Sequence, residues 1–164
     1  MATTDLSAYD KNTIPNSKDL RFGIVVSEWN SKITENLAKG AIDTLLEHHV
    51  LKENITVWDV PGSFELIYGA AQMANTKEFD AIITIGCVIE GETKHFDFVC
   101  DGVTQGIKDL NIKQDIPVIF CVLTDREEQQ SIDRSGGIHG NKGIECAVAG
   151  LKMAHLRKMI NLGS

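Results

Sequence analysis

Ala81-Ile82-Ile83-Thr84-Ile85 is apolar almost without interruption. A strand with one wet face alternates apolar and polar residues; this run does not alternate, so helices must cover both of its faces. Three companion runs surround it. Leu20 to Ser27 centres on Phe22, Ile24, Val25 and Val26; Asn54 to Val60 carries Ile55, Val57 and Val60; Pro117 to Leu123 carries Val118 to Val122. The central run itself is read as a strand from Asp80 to Cys87. Helical periods separate these runs. Ile33, Leu37, Ala41 and Leu45 recur every fourth residue behind a capping Ser31, and Ile67, Ala70, Ala71 and Ala74 follow a capping Ser63. Phe96, Val99, Val103, Ile107 and Leu110 form a third stripe. Arg126 to Ser135 is a fourth helix, broken by Gly136-Gly137 and Gly140, and Asn141 caps a last helix burying Ile144, Val148, Leu151 and Ala154. Four alternations of strand and helix predict an α/β fold: a four-stranded parallel sheet with helices on both faces, in three layers.

The 164 residues, 43% hydrophobic and 24% charged, suit a single domain with a sizeable core. That domain is expected over residues 20–164. Residues 1–19 are polar and form an extended N-terminal arm able to pair with a neighbour's sheet edge. A net charge of −7 argues against a nucleic-acid partner, because phosphate backbones need concentrated Lys and Arg. No apolar run reaches the roughly 18 residues of a membrane span. Cys87, Cys100, Cys121 and Cys146 form no C-x-x-C pair, which leaves neither a zinc site nor a disulfide framework and predicts small buried thiols. With no secretory signal at the N-terminus, the expected location is cytoplasmic.

In a parallel sheet the turns that follow the strands gather on one edge, where ligands bind. Here they bring together Trp29-Asn30, Ser63-Phe64-Glu65, Cys87 to His95, and Thr124-Asp125. Trp29 and Phe64 either plug the core at strand ends or offer two faces to a flat heterocycle. Glu65 either complements a helix dipole or accepts from ring N–H groups. His95 stands at a helix start, where an imidazole can take up a proton and return it. Gly91-Glu92-Thr93 places backbone N–H groups at the same helix start, a ready anion site. Arg134 can grip phosphate bidentately or simply answer the dipole at a helix end. No G-x-G-x-x-G or phosphate loop follows the first strand, which disfavours nicotinamide and nucleoside-triphosphate chemistry.

Val60-Pro61-Gly62-Ser63-Phe64-Glu65, Gly86 to His95 running into Phe96-Asp97-Phe98-Val99-Cys100, Asp133-Arg134-Ser135-Gly136 and Gly140-Asn141-Lys142-Gly143 together resemble the lumazine synthases, over about residues 20 to 160. The resemblance implies a flavodoxin-like fold whose N-terminal arm adds to a neighbour's sheet. It implies a homopentamer that in some members packs into a sixty-subunit icosahedral shell. It implies an enzyme of riboflavin biosynthesis acting on two small molecules, a ribitylaminouracil and a butanone phosphate, with no metal or cofactor. Carried over by position, Trp29 stacks on the pyrimidine, Ser63, Phe64 and Glu65 supply its backbone and ribityl contacts, and Cys87, Val88 and Ile89 read the ring edge through backbone groups. Glu92 and Thr93 fall at the phosphate, His95 transfers protons, Phe120 comes from a neighbouring subunit, Arg134 grips phosphate and Lys142 supports.

Two positions depart from the family's habit. Glu90 stands where a basic or neutral residue is common, and is expected either to weaken phosphate binding or to point to solvent. Cys87 replaces a frequent Thr, with little lost if its contact is through the backbone. The alternatives are a shell protein of the same family with reduced catalysis, a flavodoxin-like binding module, and the archaeal type of riboflavin synthase on the same fold.

Overall fold

The computed structural model describes residues 5–163. Four strands, β1 (Phe22–Ser27), β2 (Ile55–Val60), β3 (Ala81–Ile89) and β4 (Val118–Asp125), form one parallel sheet in the order β2-β1-β3-β4. Helices α1 (Ser31–Glu47) and α5 (Lys142–Leu162) cover one face; α2 (Leu66–Thr76) and α3 (His95–Lys113) cover the other. The architecture is the expected three-layer α/β/α sandwich. Two cores result. Ile24, Ile83 and Ile85 pack towards Leu37, Leu45 and Leu151 on one side, while Val25 and Ile82 pack towards Leu66, Met73 and Ile107 on the other. β1 and β3 are buried along their length apart from the last two residues of β3, which explains their unbroken apolar character.

The chain winds from β1 outward to β2, then crosses back past β1 to β3. The direction of winding therefore reverses between β1 and β3, and a crevice opens at their carboxyl ends.

Local boundaries differ from the sequence reading in four places. β3 runs on to Ile89, two residues past the expected Cys87, because β4 keeps pairing with it as far as Asp125. Asn30, not Ser31, precedes α1; it is left-handed (φ 60°) and gives no side-chain cap. α2 starts at Leu66, whose N–H meets the Ser63 carbonyl, so Ser63 does not cap with its hydroxyl. α4 is short (Glu128–Arg134), and the glycines after it form a small hairpin, β5 (Ser135–Gly137) with β6 (Gly140–Asn141). Asn141 caps α5 as expected, its Oδ1 accepting from the Gly143 N–H at 2.8 Å. Cys87, Cys121 and Cys146 are buried and Cys100 half-buried. Among the described residues no helix is long and apolar enough to cross a membrane.

Residues 1–4 of the arm lie outside the described residues. From Asp5 onward the arm rests on its own domain. Tyr9 Oη lies 3.0 Å from His48 Nε2, and Ser17 Oγ lies 3.0 Å from His155 Nε2. Burial, the largest influence on each, holds both imidazoles below the usual histidine range. A histidine whose folded pKa is lowered binds fewer protons than it does unfolded, so its stabilising contribution is lost as pH falls below about 6.5. Acidification from pH 7 to 5 is expected to lower the amide protection of residues 9–17, measured against the intrinsic exchange rate at each pH, before it affects the sheet. Equal protection of this segment at both pH values would contradict the assignment.

Candidate active site

Beyond the pairing of Val26 with Ile85, β3 bonds to β4 alone. In a strand, alternate residues present their backbone groups to the same edge. Ile82 and Glu90 donate towards the β4 side, while the Cys87 carbonyl accepts from Asn30 Nδ2 at 3.0 Å on the β1 side. Cys87 and Ile89 thus turn their backbone edge into the crevice, where Asn30 already holds the Cys87 carbonyl. Asn30 is left-handed for this reason: its side chain crosses to β3 instead of capping its own helix.

The β1–β2 ladder continues into the turn, with Glu28 N donating to the Val60 carbonyl (2.8 Å) and Trp29 N to the Pro61 carbonyl (3.1 Å). This sets the Trp29 ring beside Gly62 and the Glu65 carboxylate. Trp29 is 70% and Phe64 53% exposed, so neither plugs the core. Phe64 leans on α3 at Gly102, where a Cβ would come within 2.6 Å of its ring. Ser63 is buried on Gly86, its hydroxyl without a hydrogen-bond partner. His95 opens α3, exposed, with its N–H 3.4 Å from Thr93 Oγ1.

Together these residues enclose a cavity of about 610 Å³. Its walls include Trp29, Ser63, Phe64, Glu65, Cys87, Val88, Ile89, Thr93 and His95. The lining is mostly carbon, with polar groups at a few points, as in sites for flat organic ligands. Burial pushes the Cys87 thiol up to about 11, so it is a protonated donor and not a nucleophile.

Four residues named from the sequence do not line this cavity. Glu92 is exposed in the turn before α3. Phe120 pairs with Thr84, three residues before Cys87, which at strand rise sets it about 10 Å back along the sheet. Arg134 ends α4 and donates from Nη1 to the Gln130 carbonyl at 2.9 Å, and Lys142 is ion-paired with Glu145 at the start of α5.

The sequence reading placed Asn30 at this edge and Phe98 in the family-like stretch but gave neither a role, and both also line the cavity. Phe98 is 72% exposed, off the buried stripe of α3 and one turn beyond His95. An aromatic on the wet face of an amphipathic helix was the available signal. Nothing local announced the long-range bond of Asn30.

Glu90 turns away from the cavity. Its N–H donates to the Asp125 carbonyl at 2.9 Å, and its carboxylate lies 3.8 Å from Arg126 Nε. Glu90→Gln is therefore expected to change the KM for a phosphorylated substrate by less than about twofold, since exposed ion pairs carry little energy. A severalfold fall in KM would show that the carboxylate does repel the phosphate.

The sequence profile described as 6,7-dimethyl-8-ribityllumazine synthase matches residues 19–158. A protein of that name from Christiangramia forsetii is 68% identical over 161 residues, spanning 96% of both chains. Its namesake from Flavobacterium johnsoniae is 66% identical over 164 residues, 99% of this chain and 86% of the relative. That from Porphyromonas gingivalis is 56% identical over 161 residues, 97% of this chain and all of the relative. The matched residues span every element that builds the crevice, and the chain belongs to the 6,7-dimethyl-8-ribityllumazine synthase family.

Proposed function

We propose that the crevice between β1 and β3 is where this chain carries out the family's reaction in riboflavin biosynthesis. That reaction joins 5-amino-6-(D-ribitylamino)uracil to 3,4-dihydroxy-2-butanone 4-phosphate, giving 6,7-dimethyl-8-ribityllumazine, phosphate and two molecules of water. The observation that carries the assignment is the free edge of β3, facing an exposed Trp29 across a largely apolar cavity. A pyrimidine needs these two things: a flat surface to stack on and in-plane backbone donors and acceptors.

Trp29 stacks on the uracil ring, and the backbone of Cys87 to Ile89 reads its edge. Ser63, Phe64 and Glu65 take the ribityl side. The 5-amine of the uracil attacks the ketone and an imine forms with loss of water; phosphate is then eliminated, and the ribityl-bearing nitrogen attacks the remaining carbonyl, closing the ring with loss of a second water. No step requires a nucleophile from the protein. Each requires proton transfer, which His95 supplies at the cavity mouth, and orientation of two substrates, which can supply about 7–11 kcal/mol in the best intramolecular cases. Thr93 and Glu92 mark the helix start beside the departing phosphate, with Arg134 as its cationic grip.

Phe120, Arg134 and Lys142 lie outside their own chain's cavity, and a ring of subunits would deliver such residues to a neighbour. The partly exposed edge strand β2, with Val57 and Trp58, and the exposed Ile112, Met159 and Ile160 are apolar surface that such a ring would cover. Pentamer and sixty-subunit shell differ in mass, and light scattering separates them: five copies of 18.0 kDa give about 90 kDa.

The reaction is tested by mixing both substrates with the protein and following lumazine fluorescence. Formation well above the uncatalysed rate is expected; no increase would overturn the assignment.

A further inference from the structure

Helix α4 has only seven residues, too few to be stable alone, and its one buried residue is a serine, Ser131. Its first turn lacks a capping side chain. What ties it to the sheet is polar. The Cys87 thiol donates to Ser131 Oγ at 3.3 Å, and Ser131 Oγ donates to Asp125 Oδ2 at 2.8 Å. Cys87 is 3% and Ser131 0% exposed, so the thiol–hydroxyl bond is shielded from water, while the bond from Ser131 to the half-buried Asp125 is shielded at its hydroxyl end. The donors run in one direction, thiol to hydroxyl to carboxylate, and Cys87 at the head of this relay is the residue whose carbonyl Asn30 holds from the other side. Arg134 follows Ser131 by three residues, on the same side of the helix.

We propose that Ser131 is a positioning residue: by joining the Cys87 thiol to the Asp125 carboxylate it fixes α4, and with it Arg134, on the carboxyl end of the sheet. This rests on the reading that Arg134 grips the substrate phosphate, whether in its own cavity or a neighbour's. The relay gives a small helix with almost no apolar anchor a defined orientation. It also couples the guanidinium to the strand end that reads the pyrimidine.

The test uses the full chain, with inorganic phosphate as probe and amide exchange as an independent readout. Loss of one such buried bond is worth roughly fivefold in a local equilibrium, and more where it strands a partner. Ser131→Ala is expected to speed exchange of residues 128–134 by about fivefold or more and to weaken phosphate binding by a similar factor. In turnover it should raise the KM for the butanone phosphate while that for the uracil moves less than about twofold. Cys87→Ala, which removes the other end of the bond, should loosen α4 alike, whereas Cys87→Ser, which keeps a donor, should leave α4 exchange within about twofold of the parent. Unchanged exchange of α4 in Ser131→Ala and Cys87→Ala overturns the tether. Loosened α4 with phosphate binding intact, while Arg134→Ala abolishes that binding, overturns the positioning role. Phosphate binding that survives Arg134→Ala removes the arginine assignment on which the inference stands, and the exchange data then show that the failure lies there and not in the tether.

Discussion

His95→Ala is expected to slow turnover by about 10²–10⁴-fold, the usual contribution of a general acid–base group. Binding of the uracil substrate should move little. His95 is exposed at the first residue of α3, and its backbone N–H, not its imidazole, donates to Thr93 Oγ1. Removing the imidazole therefore leaves the walls of the cavity in place. Trp29, Phe64 and the β3 edge continue to hold the ring, so the variant keeps the part of catalysis that comes from bringing two substrates together. The prediction is a divided one: single-turnover rates fall, and calorimetric affinity stays within about threefold, because the proton transfer is made only in the transition state. Loss of substrate binding in this variant would assign His95 to binding and remove its role as a proton shuttle.

The parts of the fold that bury apolar side chains were legible in the chain. Ile82, Ile83 and Ile85 announce a doubly covered strand, and Ile33, Leu37, Ala41 and Leu45 are buried in α1 as their spacing requires. Parallel topology alone then gathers Trp29, Phe64, Cys87 and His95 at one edge. What stayed hidden depends on bonds between distant residues. Cys87 reads as the end of β3 until Ile89 is seen to pair with Asp125. Ser31 reads as a cap until Asn30 is seen to give its amide to Cys87. The glycines after α4 read as a break, and they do stop the helix; they also fold into a hairpin that uses positive φ at Gly136 and Gly140. Glu90 raised a question that its sequence neighbours could not answer, because its partner Arg126 follows a different strand. Cys87, Ser131 and Asp125 meet from two strands and a helix, and no local pattern relates them.

Gly143→Ala is expected to be the most damaging single-methyl change in the chain, for a reason that lies in the backbone. Alanine is ordinarily the better helix former, by roughly 0.8–1.0 kcal/mol. Gly143 lies in the first turn of α5, where that helix meets the middle of α1. A Cβ there would sit 1.9 Å from the Leu37 carbonyl oxygen and 2.8 Å from its carbon. No rotamer of any side chain relieves this contact, because the obstacle is main chain within a helix. The helices would have to separate, and that movement strains other bonds. Asn141 caps α5 through Gly143 and also donates from Nδ2 to the Asn36 carbonyl of α1 at 3.0 Å, and its N–H is held by Ser7 Oγ at 2.9 Å. Leu37 and Leu151, both fully buried, would lose contact on the same side of the sheet. The cost should reach or exceed about 3 kcal/mol, the upper end for overpacked cores, and so reverse the sign of the helix propensity. Urea unfolding should show a lower midpoint at an unchanged slope. Gly91→Ala supplies the contrast: an added Cβ there meets nothing within 4 Å, so its stability should stay within about 0.5 kcal/mol of the parent. If Gly143→Ala proves as stable as Gly91→Ala, α1 and α5 do not approach each other this closely. The seam that sets α5 against the sheet, and Lys142 at its start, would then have to be drawn differently.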